Sequence, residues 1–423
     1  GSRYTASYSL ATDGLGQWRI VDLPSGVLLP AGSLSTNFVA TSLYFLAPDL
    51  RRFVPDLRWL PRRNLVSSAA AALLDGPTDW LAAGALSALP DGTGLAADGV
   101  TLEGETATVT LDAAAADLGE QARSLAVAQL TATLSRIEGV ASVVVMAGDE
   151  SLGEPAPLRE PDAEAGAVIG LAGGAVVQGT SSTRKTLATA QALGTTQARH
   201  PALGPDGAVY ALNASSLLRL RAGEGAASVI ASVGAADAGE GGLLPPVVDR
   251  YGWVWTVADG ALTSVGSMGQ RAELSAHWLE GREVTAMDLS AESARLVLRH
   301  RSGDGGGDER VSAAVVLRAE DGTPRGLPLA AGSGVTGLAW CDLVNVVVLA
   351  PGEVGQGALD VRYVQVGGTM TGVAGTQGVR ALVADRVSGA VLLVDDRGQV
   401  WQRKGATWRV LTVEVSDLSY PLP

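Results

Sequence analysis

Residues able to do chemistry are few and scattered in this 423-residue chain. There are three histidines, His200, His277 and His300, and a single cysteine, Cys341. Nucleophilic catalysis needs a histidine held between a Ser or Cys and a carboxylate. No Gly-x-Ser-x-Gly elbow, Walker loop or HExxH accompanies these residues. A lone cysteine forms no internal disulfide, and a Cys-based zinc site needs several thiolates. The expectation is no catalytic residue, no cofactor and no metal site. Asp304 and Asp308 flank three glycines and offer clustered oxygens, but without the alternating Asp/Asn spacing of a calcium loop; the segment reads as a solvated insertion. More pointed is the cluster Arg51, Arg52, Arg58, Arg62 and Arg63, five arginines within 13 residues, interleaved with Phe53 and Trp59. Such a cluster could contact anionic lipid or an acidic partner surface, or could pair internally with the acidic stretch that follows it.

That stretch is defined by the charge distribution. The chain carries 31 Lys+Arg against 44 Asp+Glu, a net charge of −13. Residues 1–63 are net +3, residues 64–165 net −13 and the remainder net −3. A shift of that size is a domain-level signal. With 47% hydrophobic residues the chain is too apolar for a disordered acidic protein, and it lacks the concentrated positive stripe of a nucleic-acid-binding surface. No apolar run reaches membrane-spanning length. Gly1-Ser2 reads as a cloning scar. The short strand-like runs that follow bury too little to fold alone, so residues 1–34 are expected to be the remnant of a truncated N-terminal domain, or an annex to the next one.

Residues 35–149 mix both periods. Phe38–Leu46 alternates as a strand, and Pro48, Pro55 and Pro61 punctuate an arginine-rich connection. Val66, Ala69, Ala70, Leu73 and Leu74 share a helical face. Asp75-Gly76-Pro77 reads as the stop of that helix, and Thr78-Asp79 as the start of a second, short one. Val100–Leu102 and Thr106–Leu111 form a hairpin, residues 118–137 a third helix, and Val140–Met146 a strand. The order β-α-α-β-β-α-β predicts a compact α+β domain. Residues 150–165 are Pro-rich and read as a stiff linker.

From residue 166 to 423 the sequence repeats. Turn markers at Asp206, Asp249, Ala291, Asp342 and Asp385 are spaced by 43, 42, 51 and 43 residues. A period of 40–45 with about four short strands per unit predicts an all-β propeller. Its length gives six blades, or five if the short first unit (167–189) merely completes the last. Trp253 and Trp255 lie in one strand, with one expected between blades and the other at a face.

The strand Leu43–Leu46, the stop Leu74-Asp75-Gly76-Pro77, Leu89-Pro90-Asp91-Gly92-Thr93 and Gly139-Val140 together resemble a GerMN domain. A GerMN domain followed by a propeller, with Gly16-Gln17-Trp18-Arg19-Ile20 upstream, resembles the LpqB-type lipoproteins of actinobacteria. The resemblance implies a lipid anchor absent from this sequence, attachment to the outer face of the cytoplasmic membrane, and association with the sensor kinase of the Mtr two-component system. The function expected is a non-enzymatic modulator of that kinase, linked to the cell envelope and cell division. The alternatives are a binder of cell-wall glycan or peptide, or a propeller hydrolase with paired carboxylates. Fold class alone does not choose among them.

Overall fold

The structure is a computed structural model. It describes residues 9–12, 16–22, 31–158, 166–179, 184–233, 242–258, 261–267, 269–273, 276–303, 309–316, 326–352, 359–405, 407–411 and 413–422. The N-terminal strands β1 (Ser9–Thr12) and β2 (Trp18–Asp22) form a separate antiparallel pair. Helix α1 (Ala31–Asn37) then runs directly into β3 (Phe38–Leu46).

The arginine-rich connection is itself a strand, β4 (Phe53–Pro61), paired with β3 along its whole length. A proline inside a run usually argues against a strand, because it removes a ladder donor. Here Pro55 stands opposite Tyr44, whose own N–H turns away from β4 to donate to Thr133 Oγ1 at 3.0 Å. At such a non-hydrogen-bonded position the ladder needs no N–H from Pro55. Helix α2 (Leu65–Leu74) follows, and Gly76, at φ +80°, stops it. The short helix expected at Thr78 is only a turn, in which Leu81 and Ala82 donate to the Thr78 carbonyl. Thr78 is held by its N–H and hydroxyl on Asp56, at 2.9 and 3.1 Å, and Gly84 lies against Val315, leaving no room for further turns.

Strands β5 (Leu95–Glu103) and β6 (Thr106–Leu111) make the hairpin, and α3 (Glu120–Leu134) crosses over to β7 (Ser142–Ala147), which lies parallel to β6. A short β8 (Glu150–Ser151) completes the sheet β5-β6-β7-β8. Leu43, Phe45, Leu73, Val109, Leu130 and Leu134 form a dry core. Burying each such side chain contributes about 1.5–3 kcal/mol relative to exposure.

Beyond residue 166 the described residues form six four-stranded antiparallel sheets in a ring, referred to below as blades 1 to 6. Blade 1 has three strands from the start of the repeat, Ile169–Ala172, Ala175–Gln178 and Lys185–Ala188; its innermost strand is Ser416–Ser419 from the far end of the chain. The turn markers share one place. Each lies between the innermost and second strands of blades 2 to 6, so all point to the same face of the ring. Asp249, Asp342 and Asp385 each accept two backbone N–H groups of their own turn, an arrangement that fixes a tight turn. Trp253 and Trp255 pack into the same apolar cluster rather than opposite ones, because residues two apart in a strand share a face.

Candidate functional site

The α+β domain sits on the turn-marker face, over blades 3, 4 and 5, and β4 with its preceding turn and the turn around Gly84 make the contact. Above blade 5 (Gly337–Trp340 and its partners), Gly368 packs against Leu57, and a Cβ there would meet the Leu57 side chain at 2.7 Å. Over blade 4 (Arg282–Leu289 and its partners), Gly84 rests on Val315 and Ala294, which belong to the α+β core itself.

One side chain joins these parts. Arg295 is 1% exposed. Its Nε donates to Glu292 Oε1 at 2.6 Å, Nη2 to the Leu343 carbonyl of blade 5 at 2.7 Å, and Nη1 to the Pro55 carbonyl of β4 at 3.3 Å. Its guanidinium lies 4.6 Å from the Trp340 ring centroid. The planar fork of arginine suits such a junction, since its donors leave in fixed directions. Below it Arg386 of blade 6 pairs with Asp288 of blade 4 and donates to the Tyr420 carbonyl at 2.8 Å, and Asp288 accepts the Trp340 N–H at 2.8 Å. The inner strands of four blades are thus tied together at the mouth of the central channel. Neither arrangement was legible in the sequence, because partners up to 240 residues apart leave no local pattern.

The structure disperses the arginine cluster. Extended at about 3.3 Å per residue, β4 puts Arg51 and Arg52 at one end and Arg62 and Arg63 at the other, roughly 30 Å apart. Arg58 turns inward. It pairs with Asp56, which is 2% exposed, and donates to the carbonyls of Ala72 and Gly76. Arg62 and Arg63 are exposed, and Arg62 reaches the Ser35 carbonyl at 3.4 Å. Arg51 and Arg52 line a cleft of about 570 Å³ between the β3–β4 turn, the start of α3 and the Arg250-Tyr251 turn of blade 3 (Val247–Val248 and its partners). Arg52 lies 3.6 Å from Asp49. Arg250 donates through Nε and Nη2 to the Ala291 carbonyl, at 3.1 and 3.0 Å. Burial, and then the charge of Arg52, lower the proton affinity of Arg250.

His300 is buried beside Ser312, with Nε2 at 3.0 Å from the hydroxyl. Its Nδ1 accepts from Arg282 Nε at 2.6 Å, so Nε2 carries the proton and donates to the serine. That polarity is the reverse of what a nucleophilic serine needs. His277 is exposed on Glu280 at 3.0 Å, and the hydrogen bond to that carboxylate raises its pKa. Half-buried His200 is lowered, burial outweighing the nearby Asp417. Cys341 is buried, which pushes its thiol well above the ordinary range. Among the described residues no three His, Cys, Asp or Glu side chains cluster as a metal site, and no helix is long and apolar enough to cross a membrane. The Asp304–Asp308 segment lies outside the described residues.

Two family models match the chain: Germane, sporulation and spore germination, over residues 42–153, and the lipoprotein LpqB β-propeller domain over residues 174–421. Lipoprotein LpqB of Bifidobacterium longum is 28% identical over 327 residues, covering 75% of this chain and 54% of that protein. Lipoprotein LpqB of Rhodococcus jostii is 32% identical over 152 residues, 34% of this chain and 26% of that protein. The chain therefore matches about half or less of the length of these relatives. A puromycin-hydrolyzing peptidase from Mycobacterium tuberculosis overlaps 61% of this chain and 48% of its own at 16% identity and a TM-score of 0.42, a likeness too slight to bear on activity. With a Germane domain docked on a propeller whose family model spans residues 174–421, the chain belongs to the LpqB lipoprotein family.

Proposed function

We propose that this chain is the extracytoplasmic part of a lipid-anchored regulator at the outer face of the cytoplasmic membrane, and that it binds and modulates the sensor kinase of the Mtr two-component system without catalysis of its own. The observation that carries this reading is the docking of the two domains through buried Arg295. It makes residues 35–149 and 166–423 a single platform suited to holding a partner in one orientation. Such a platform shifts a kinase only by binding one of its states better than the other. Tethering both proteins to one membrane raises their effective concentration, so modest direct affinity suffices. The exposed pair Arg62 and Arg63 is the part of the arginine cluster best placed to meet an acidic partner, whereas Arg58 is committed to Asp56.

The test measures binding of this chain to the kinase's extracellular domain with both tethered to a bilayer. Saturable binding that weakens in Arg62→Glu/Arg63→Glu, with melting unchanged, supports the reading; no binding under tethering defeats it. Charge reversal of Arg51 and Arg52 separates their roles: lost stability with unchanged kinase affinity marks them as structural.

A further inference from the structure

Strand β3 leaves part of one edge without a partner strand. Its odd-numbered positions bond to β4, and the pattern continues past both ends: the Arg62 N–H donates to the Asn37 carbonyl at 2.8 Å and the Ala47 N–H to the Arg52 carbonyl at 2.9 Å. The N–H and C=O groups of the even-numbered residues therefore turn to the opposite side. There Leu46 exchanges both hydrogen bonds with Leu86, each at 2.8 Å, and the Tyr44 N–H donates to Thr133 Oγ1. After Leu86 the chain leaves this edge, the Ala88 N–H going to Gln129 Oε1 at 2.7 Å. The backbone groups of Ala40 and Ser42 have no hydrogen-bond partner among the described residues. Strand β5 is open in the same way. Glu103 and Thr106 close a two-residue turn, so the backbone groups of Val100 and Leu102 face away from β6. Both edges line one groove, β3 contributing Ala40 and Ser42 and β5 contributing Val100 and Leu102, which is 48% exposed. With strands spaced about 4.8 Å apart and layers about 10 Å apart, its volume of about 780 Å³ holds roughly five extended residues. The chain's own β1 and β2 pair only with each other.

The charges of the groove say more about what fits it. They are Arg62, Arg136 and Glu138, a cationic excess on a domain whose residues 64–165 are net −13. Arg136 lies over the Tyr44 ring, 4.4 Å from its centroid. Exposed Arg62 stands at the Phe38 end of the open edge, where among the described residues it reaches the Ser35 carbonyl at 3.4 Å and no carboxylate. Leu86 already sets the sense of pairing on this edge as antiparallel. A strand continuing in that sense ends beside Arg62, so a carboxylate at its C-terminal end meets the guanidinium.

We infer that this groove takes an extended segment of a partner protein by strand addition to β3, the segment running antiparallel to β3, apolar at alternate positions and carrying a carboxylate at its C-terminal end. Main-chain hydrogen bonds to Ala40 and Ser42 supply affinity, and the Val100 and Leu102 side selects apolar side chains. This mode of binding goes beyond the kinase reading and stands whichever protein supplies the strand.

Titration of the whole chain with the capped hexapeptide acetyl-Thr-Val-Thr-Val-Thr-Glu-amide tests this, with backbone amide resonances and exchange rates followed at Ala40 and Ser42. Saturable shifts and slowed exchange at both amides are expected, with binding about tenfold weaker for the fully N-methylated peptide, which keeps the side chains and loses the donors. Arg62→Gln should weaken binding about threefold, the scale of an exposed ion pair, with no further loss when the peptide ends in Gln. Arg63→Gln should leave binding unchanged. Ser42→Pro removes one donor of the open edge that the β3–β4 ladder does not use, so lost peptide binding with unchanged melting supports the site. Absence of saturable shifts, equal binding of the N-methylated peptide, or equal loss in the Arg62 and Arg63 variants overturns it. Slow exchange of Ala40 and Ser42 in the peptide-free chain also overturns it: constant protection marks closure by the chain itself, and protection that rises with protein concentration marks a second copy.

Discussion

Replacing Arg295 with Met should lower stability by about 3–5 kcal/mol, because Glu292, 1% exposed, would be left as a buried charge without its partner. One Glu292 oxygen already has no hydrogen-bond partner, so the loss cannot be absorbed locally. Replacing both residues with apolar ones of similar size should cost much less, and denaturant midpoints of the single and double variants check this. His200 gives a pH prediction. Its folded pKa is depressed by burial, so the unfolded chain binds the extra proton and stability falls as pH drops through the ordinary value near 6.5. Melting temperature should therefore fall from pH 7.5 to pH 5, and fall less in His200→Asn. Side chains of this kind were only partly legible in the sequence. The absence of motifs around the histidines was readable, but the polarity of the His300–Ser312 pair depends on Arg282, a neighbour across the blade.

At the scale of elements, Gly84→Ala should loosen the docking of the two domains, since the new Cβ would stand 2.8 Å from the Val315 Cβ, an atom unable to swing aside. Faster amide exchange at Val315 and Leu57, with little change inside the blades, is the expected readout. Elements whose boundaries rest on local chemistry were legible. Gly76 stops α2 at φ +80° as a left-handed residue, Gly139 at φ +88° turns the chain towards β7, and the markers Asp206, Asp249, Ala291, Asp342 and Asp385 all fall at equivalent turns. What failed was β4. Its prolines and arginines look like a connection, and only the pairing with β3 shows that Pro55 sits where no ladder donor is required. The same misreading made the arginines one cluster; a strand separates what a loop would have gathered.

For the whole molecule, the shared core containing Ala294 and Val315 predicts that the Germane domain and the propeller unfold together. Calorimetry should show one transition for the native chain and two for Arg295→Met, in which the junction is weakened. The repeat period conveyed the ring, and the charge shift conveyed the neighbouring domain, but nothing in either announced the face on which the two meet. The closing strand of blade 1 bears on how the chain is made. Leu171 pairs with Ser416, a partner synthesised 245 residues later. The Germane domain has all its strands early and can fold while the rest is still emerging. Blade 1 must wait, its Ile169–Ala172 strand carrying an open edge able to pair with a foreign strand. Such long-range closure is slow, and a chain cut short before Ser416 should therefore aggregate during biogenesis even though nearly every blade is encoded in full.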